Sequence, residues 1–329
     1  TGPQETERDE LALTALERSH DNIIQLRPLS PENKAFVEQN FGCELPVCVS
    51  NRRARKNDKI EFTTEKGAHF RITRDACGLL PGPEHYKYWI WFLAMTSKAA
   101  LKFTDKPLRA VPAPWIPIDP VEIGDAIGAT RSKTSNSYAG SLYDSIDDAF
   151  GSFAGLRITT RNAFWDAERK KHIMLEGQDP LISYRSWREE RDDDDGFGFT
   201  KGAAKPSQPL WDSIRSGYGL TVGQLKEASS LSYIALRLKT WLTKHARFQP
   251  TEGWFVKSLL PKIPLQTPPQ HVKMRLKPAH DELMAIGFLK AEPTYLGRGT
   301  KLRVHYQLTD PNPDDDDLLA LREADLRQP

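Results

Sequence analysis

The same order of secondary-structure signals occurs twice in this chain. Each time a helix is followed by a short extended segment, a second helix, a turn, a third helix and two strands. The clearest boundaries are those of the helix that Asp119 and Pro120 begin as N-cap and first residue, and that Gly128 ends. Because 329 residues are also too many for one ordinary domain, the repeated order predicts two domains of one architecture.

In the first half, alternating apolar and polar residues predict a hairpin, and Pro83 begins an apolar helix that reaches Phe103. Ser132 is the predicted N-cap of a further helix that ends near Phe153. The hairpin spans 59–63 and 68–73. The remaining predicted segments are an extended piece at 115–118 and strands at 156–160 and 181–187.

In the second half, apolar residues at helical spacing predict a long helix over 230–248, and Gly287 ends a third helix that starts at Pro268 and Pro269. Pro278 lies inside that third helix and is expected to kink or split it. The other predicted segments are a strand at 210–214, a helix at 221–228, a strand at 253–256, a short helix at 257–260, and strands at 288–293 and 301–308.

This order is typical of the winged helix, a variant of the helix-turn-helix DNA readers. The sequence therefore predicts an α+β protein with two tandem winged-helix domains. The predicted division is an acidic, partly disordered arm at 1–56, a first domain at 57–187, an acidic loop and inter-domain strand at 188–220, a second domain at 221–309 and an acidic tail at 310–329.

Charge is segregated along the chain, although the net charge is only +2. Residues 1–50 carry 4 Lys and Arg against 9 Asp and Glu, and residues 310–329 carry 2 against 7. Residues 221–309 carry 14 against 5, a net charge of +9. A basic domain between acidic flanks is typical of a protein that binds a polyanion, although a basic face also serves solubility.

No signature of catalysis is found in the sequence. A phosphate-binding Gly-x4-Gly-Lys-Ser/Thr loop is absent, and so are a dinucleotide-binding glycine pattern, a His-x-His pair and a nucleophile elbow. Cys43 and Cys48 have no histidine nearby and form a poor zinc site. We expect no enzyme activity, no metal and no cofactor.

The cellular location is expected to be the cytoplasm. Three cysteines suit a reducing compartment, the polar and acidic residues 1–10 do not resemble a signal peptide, and no apolar run is long enough to cross a membrane.

Four stretches resemble plasmid replication initiator proteins of the tandem winged-helix type. Two match the first winged helix, and two match the inter-domain strand and the first helix of the second winged helix. They are Trp115–Gly128 (WIPIDPVEIGDAIG), Ser137–Ile146 (SYAGSLYDSI), Leu210–Leu220 (LWDSIRSGYGL) and Leu231–Leu242 (LSYIALRLKTWL).

The resemblance implies a DNA-binding protein that has no catalytic activity. Such initiators bind direct repeats at a plasmid origin, promote opening of the flanking duplex and recruit host replication proteins. The second domain would read the repeats, and the first would mediate dimerisation and add contacts to the DNA backbone. The alternative is a double winged-helix transcriptional repressor that binds an inverted repeat.

The predicted DNA-binding residues fall into three groups. The third helix of the second domain offers its early residues to the major groove, and the wing after it offers Arg298 to the minor groove and two cations to phosphates. The N-terminus of a first-domain helix offers hydroxyl, amide and basic groups to phosphates, or serves as a cap. The residues are His271, Lys273, Arg275, Lys277, Arg298, Lys301, Arg303, Arg131, Lys133, Ser135 and Asn136.

Two further partners are expected. Gln25–Leu29 resembles the short peptide with which replication proteins bind sliding clamps. A homodimer through the first domain is expected because the aromatic residues of one hairpin and one helix cannot all face inward, and surplus apolar surface marks a partner site. The alternative is that the Pro-rich loop 105–120 covers them. These residues are Phe62, Phe70, Tyr86, Tyr88 and Trp91.

Overall fold

The structure of the chain is a computed structural model. It describes residues 34–38, 45–63, 69–74, 78–103, 106–107, 110–132, 138–166, 171–190, 197–217, 219–245, 250–265 and 267–309. The clamp peptide Gln25–Leu29, the acidic run Asp192–Asp195 and the tail 310–329 lie outside these residues.

The chain forms two compact units, Thr1–Tyr233 and Ile234–Pro329. Both contain helices and small antiparallel sheets, which confirms the predicted α+β class. The segment 221–230, predicted to open the second domain, lies in the first unit.

The first unit contains nine strands and five helices in the part of the chain that is described. The strands are β1 Lys34–Glu38, β2 Lys59–Thr63, β3 His69–Arg74, β4 Ile116–Ile118, β5 Leu156–Asp166, β6 Lys171–Pro180, β7 Ile182–Glu190, β8 Phe197–Pro206 and β9 Gly219–Gln224. The helices are α1 Tyr86–Ala100, α2 Pro120–Ile127, α3 Gly140–Ala154, α4 Gln208–Arg215 and α5 Leu225–Ser230.

Helix α1 is the centre of the first unit. It follows a 3-10 turn at Pro83–His85, as the position of Pro83 predicts, and it is buried almost all round. The Trp89 ring lies 5.3 Å from the Phe153 ring, and the Trp91 ring lies 6.4 Å from the Phe150 ring. A helix that is apolar on every side needs neighbours on every side, and α3 supplies two of these aromatic partners.

The strands of the first unit form three antiparallel sheets, with strand orders β1-β9, β2-β3-β5-β6 and β4-β8-β7. In the third sheet, β4 precedes helices α2 and α3 in the chain. It pairs with β8, which is the last strand of this sheet along the chain. Asp119 caps α2 as predicted, because its carboxylate accepts the Val121 N–H at 2.8 Å. Gly128 ends α2 in the left-handed conformation, with φ of 70°.

The second unit repeats this arrangement in a smaller form. Its elements are α6 Tyr233–His245, which begins at the unit boundary, β10 Trp254–Phe255, α7 Val256–Leu259, α8 Val272–Ala285, β11 Thr294–Leu296 and β12 Arg303–His305. The strand order is β10-β12-β11, so the strand before the two helices again pairs with the last strand.

The predictions for the linker between the domains were wrong. The predicted strand 210–214 is helix α4, because Leu210, Trp211 and Ile214 occupy one helical face and are all buried. The predicted acidic loop is largely sheet, since β7 continues to Glu190 and β8 begins at Phe197.

The predicted helix 221–228 was also wrong over its first half. Residues 219–224 form β9, which pairs with β1, for example Val37 with Leu220. The arm predicted to be partly disordered therefore supplies a strand, and Leu45 and Val47 from the same arm are fully buried. Because its pairing partner is so distant along the chain, this strand is not predicted by the pattern of its neighbouring residues.

Two helix predictions need correction. Helix α3 begins at Gly140 rather than at Ser132. Of the two outcomes expected at Pro278, a split is excluded, because α8 is continuous from Val272 to Ala285, while a kink stays a prediction.

The prediction that the first domain exposes surplus aromatic residues was also wrong for the side chains that are described. Tyr86, Tyr88 and Trp91 are each no more than 1% exposed. Phe62 and Phe70 lie on paired strands, but their side chains are outside the described part. The first unit therefore buries aromatics that were assigned to a partner surface.

Candidate nucleic-acid interface

Helix α8 carries the main group of predicted DNA-binding residues. Val272, Leu276, Ala279 and Leu283 recur at helical spacing and are buried, so one stripe of the helix faces the core. Gly287 ends the helix with φ of 71°, and the Phe288 N–H donates to the Leu283 carbonyl at 2.9 Å. The helix is thus fixed at its buried face and at its C-terminus.

The structure brings the four predicted helix residues together on the exposed side. His271, Lys273, Arg275 and Lys277 are all exposed. The segment from Pro268 to His280 contains no acidic residue, and the first carboxylates are Asp281 and Glu282. The N-terminal half of α8 is therefore a cationic surface.

This charge distribution opposes the dipole of the helix. The N-terminus of a helix carries partial positive charge and favours acidic side chains, and the C-terminus favours basic ones. Helix α8 has no acidic residue in its first turn and no basic residue in its last turn. An unfavourable arrangement for the free helix becomes favourable when an anion lies against its N-terminal half.

Lys277 remains charged on this surface. Its ammonium donates to the Asp281 carboxylate at 2.9 Å, one turn further along the helix. That hydrogen bond and the charge of Asp281 raise the pKa of Lys277 above its ordinary value. This exposed pair is easily exchanged for a phosphate contact.

The wing after β11 adds further cations. Gly297 and Gly299 have φ of 78° and 56°, in the left-handed region. A Cβ at Gly297 would lie 2.6 Å from the Lys301 carbonyl oxygen, so the tight turn requires glycine there. Arg298 and Lys301 are exposed on this turn.

The wing lies beside the start of α8. The 3-10 turn Gly299–Lys301 contacts the 3-10 turn Pro269–His271 that leads into the helix. From the helix side, the Lys273 ammonium lies 5.9 Å from the centre of the Tyr295 ring on β11. The helix N-terminus and the wing therefore form one cationic surface, which we call the α8–wing surface (His271, Lys273, Arg275, Lys277, Arg298 and Lys301).

Arg303 differs from the other predicted residues in its contacts. Its side chain forms an ion pair with Glu252, and the guanidinium lies 4.1 Å from the centre of the Phe255 ring. These contacts join β12 to β10, so Arg303 holds the small sheet together.

A buried polar cluster lies between α8 and the wing strands. His280 is 3% exposed, and its Nε2 lies 3.4 Å from the hydroxyl of the fully buried Tyr306. Burial lowers the pKa of His280 to about 4, so the ring is neutral at neutral pH. The Tyr295 hydroxyl is also buried, and burial raises the pKa of Tyr295 and of Tyr306.

The predicted group in the first domain is not placed as expected. Arg131 donates to Asp125 at 2.6 Å, and this hydrogen bond raises the pKa of Arg131. The Tyr138 hydroxyl donates to the same carboxylate, also at 2.6 Å. Lys133, Ser135 and Asn136 lie outside the described residues, and α3 starts at Gly140.

Helix α3, which precedes the strand pair β7–β8 in the first unit, is acidic where α8 is basic. Asp147 accepts the Tyr184 hydroxyl at 2.9 Å and forms an ion pair with Arg188. Asp148 accepts a hydrogen bond from Arg55 at 2.8 Å. Both carboxylates of α3 are thus engaged by basic side chains of other elements.

One exposed residue of α8 was missed. Met274 lies between Lys273 and Arg275 and is 62% exposed. The helical spacing of the buried residues places Met274 on the exposed side of α8, but a prediction based on basic residues does not include an apolar side chain.

The described residues contain no group of three or more His, Cys, Asp or Glu that could hold a metal ion. Cys43 and Cys77 are outside the described part, and Cys48 is buried. Among the helices that can be described, none has the length and apolar character needed to cross a membrane.

No protein family and no curated protein matches this sequence. Among solved structures, the chain is similar to the crystal structure of selenomethionine derivatives of domain 2 and domain 3 of RctB, at 12% sequence identity and a TM-score of 0.50. The alignment covers 79% of this chain and 94% of that chain. At this level of identity the similarity concerns the fold alone.

Proposed function

We propose that the chain is a sequence-specific, non-catalytic DNA-binding protein that initiates replication of a plasmid from repeats at its origin. The observation that carries the proposal is the α8–wing surface. Its cations lie at the N-terminal end of α8, and the helix dipole attracts anions to the same end. The sequence resemblance to plasmid initiators narrows DNA binding to origin binding.

We interpret each unit as a winged helix. In both, a helix precedes a strand, two further helices follow, and two strands close a three-stranded sheet in which the first strand pairs with the last. In the first unit, β5 and β6 are inserted between α3 and β7 and join the sheet formed with β2 and β3.

In this interpretation α8 enters the major groove. Arg275 would pair with guanine acceptors, and His271 would lie near the bases beside it. Lys273 and Lys277, towards the sides of the helix, would contact phosphates. Arg298 would enter the adjoining minor groove from the wing, and Lys301 would contact a phosphate near the helix N-terminus.

The first unit plays a different part in the proposal. It would mediate dimerisation and add contacts to the DNA backbone, as the sequence resemblance implies. Self-association through this unit is part of the proposal and is supported by the sequence resemblance alone. Binding of a sliding clamp by Gln25–Leu29, recruitment of host replication proteins and a DNA-associated location in the bacterial cytoplasm rest on the same resemblance.

Footprinting on DNA from beside the gene tests the proposal against its alternative. An initiator should protect several direct repeats in one orientation, and permanganate should detect unpaired thymines in the flanking duplex. A repressor dimer should protect a single inverted repeat and leave the flank paired. Incubation of the same DNA with divalent metal should produce no nick.

Lys102→Ala is a suitable control for these experiments, because Lys102 is an exposed lysine of the first unit, outside the α8–wing surface. It should leave the footprint unchanged. A full chain that binds all DNA sequences equally would contradict the proposed function.

A further inference from the structure

Met274 is an unusual residue on the α8–wing surface. Among the described residues six large hydrophobic side chains are exposed, and Met274, at 62%, is more exposed than all of these except Leu101. Its neighbours in the chain are Lys273 and Arg275, and no other large apolar side chain of α8 is exposed.

The geometry of the helix places Met274 at the outermost point of this surface. Successive residues of an α-helix are turned by about 100°. Val272, Leu276, Ala279, His280 and Leu283 are buried and define the inward direction. Met274 lies about 180° from the centre of that buried stripe.

The cations are arranged around this point. By the same rotation, His271 and Arg275 lie about 60° and 100° to one side of Met274, and Lys277 and Lys273 lie about 60° and 100° to the other side. The cations of the helix therefore lie on both sides of Met274, and Met274 points to the bottom of whichever groove the helix enters.

The chemistry of the groove identifies what Met274 would meet there. The major-groove edges of the bases present hydrogen-bond donors and acceptors, and the C5-methyl group of thymine is their apolar feature. A thioether has no donor and accepts only weakly, so it gains little from the polar edges. It gains by removing a methyl group from water.

We propose that Met274 reads a thymine methyl group in the target DNA, so that each bound site contains an A·T pair next to the position read by Arg275. This inference rests on the proposed function and extends it to the composition of the site. Met274 would be a specificity-determining residue, whereas Lys273 and Lys277 would contribute affinity for all sequences.

A protein partner is a weaker explanation of the exposed methionine. The centre of a protein interface is depleted of charge and usually contains several apolar residues. On α8, Met274 is the single exposed large apolar residue and has cations on both sides, which suits a groove between two rows of phosphates; Leu296, 48% exposed, lies on β11 and not on the helix.

The experiment begins with the best duplex that the full chain selects from a randomised DNA pool. Each thymine in that duplex is replaced in turn by deoxyuridine, which removes only the methyl group. The wild-type protein should lose about fourfold in affinity at one thymine, the effect of one buried methyl group. Met274→Ala should bind the original duplex about as weakly as wild type binds the deoxyuridine duplex, and should not distinguish the two.

Two variants serve as controls. Met274→Leu keeps an apolar side chain of similar size and should still distinguish thymine from deoxyuridine. Leu101→Ala shortens the most exposed large hydrophobic side chain of the first unit and should leave the discrimination unchanged. Alanine and leucine are good helix formers, so neither change at position 274 disturbs the fold.

The outcomes are distinct. If the selected duplex contains no thymine, if wild type ignores every replacement, or if Met274→Ala retains the full discrimination, the methyl-reading role is wrong while the proposed function stands. If the full chain selects no sequence, the proposed function is wrong and this inference with it.

Discussion

At the scale of single residues, similar side chains in the second unit have different tasks. Arg275 and Lys301 are exposed on the α8–wing surface, whereas Arg303 pairs with Glu252 and lies against Phe255. Burial and contacts thus separate cations that can meet DNA from one that supports the sheet, a distinction that residue type alone does not make.

Arg275 and Lys301 should respond differently to removal. Arg275→Ala should weaken binding to the specific site by about 1–3 kcal/mol and barely affect random DNA, because a bidentate contact to guanine is lost. Lys301→Ala should weaken both and reduce the salt slope by about one unit, because one phosphate contact is lost. Titration of both DNAs with each variant measures this, and identical responses would contradict the assignment of base reader and phosphate contact.

His280 should make the second unit sensitive to acid. Its pKa is about 4 in the folded chain and ordinarily 6.5, so between these values the unfolded chain binds a proton that the folded chain does not. Above pH 6.5 this group does not lower the free energy of unfolding. As the pH falls towards 4, the free energy of unfolding falls by about 3 kcal/mol, because protonation favours the unfolded chain.

His280→Gln should remove this part of the pH dependence, measured as the difference in unfolding free energy between pH 4.5 and 7.5. His271→Gln, at an exposed histidine that leads into the same helix, should keep the wild-type difference. The explanation fails if both variants show the same difference.

At the scale of elements, corresponding helices of the two units have opposite charge. Helix α8 presents cations, whereas α3 presents Asp147 and Asp148, which pair with residues of other elements. The pKa of Asp148 is held below its ordinary value by the hydrogen bonds from His85 and Arg55. If both units are winged helices, as proposed, the helix that would contact DNA in the second unit makes internal ion pairs at the equivalent position of the first.

Two helical glycines of the first unit should respond oppositely to alanine. A Cβ at Gly124 in α2 would lie 2.5 Å from the buried Tyr138 ring, so Gly124→Ala should destabilise the unit by about 1–3 kcal/mol. Gly151 in α3 has open space around its Cα, so Gly151→Ala should stabilise it by about 0.5–1 kcal/mol. Chemical denaturation measures both, and equal shifts would contradict the packing of Tyr138 on α2.

At the scale of the whole molecule, charge is segregated along the chain. The segment 221–309 has a net charge of +9 within a chain whose net charge is +2. In the proposed function, electrostatic attraction to DNA would be concentrated in this part of the chain, and the acidic segments elsewhere would oppose unspecific binding.

This division predicts the salt dependence of binding to one repeat. Lys273, Lys277, Arg298 and Lys301 are the proposed phosphate contacts, so the slope of log K against log salt should be about −4, at about −0.9 for each contact. Binding measured at several salt concentrations gives the slope. A value near zero would contradict a phosphate interface, and a much steeper one would require cations of the first unit as well.

Several local features could be predicted from the sequence because they depend on neighbouring residues. Asp119 and Gly128 fix the ends of α2, Gly287 ends α8, and the apolar spacing of α8 sets its exposed face. The α8 cations therefore follow from sequence alone, as do Arg298 and Lys301 at the glycine-rich turn.

The tertiary structure decided what depends on distant residues. Strand β9 exists because β1, almost two hundred residues earlier, pairs with it, and 210–214 is a helix whose apolar residues meet the core on one side. The same holds for partners: Asp125 engages Arg131, and Glu252 engages Arg303. A side chain's type is written in the sequence, but whether it is free to bind depends on which groups the fold brings within hydrogen-bonding distance.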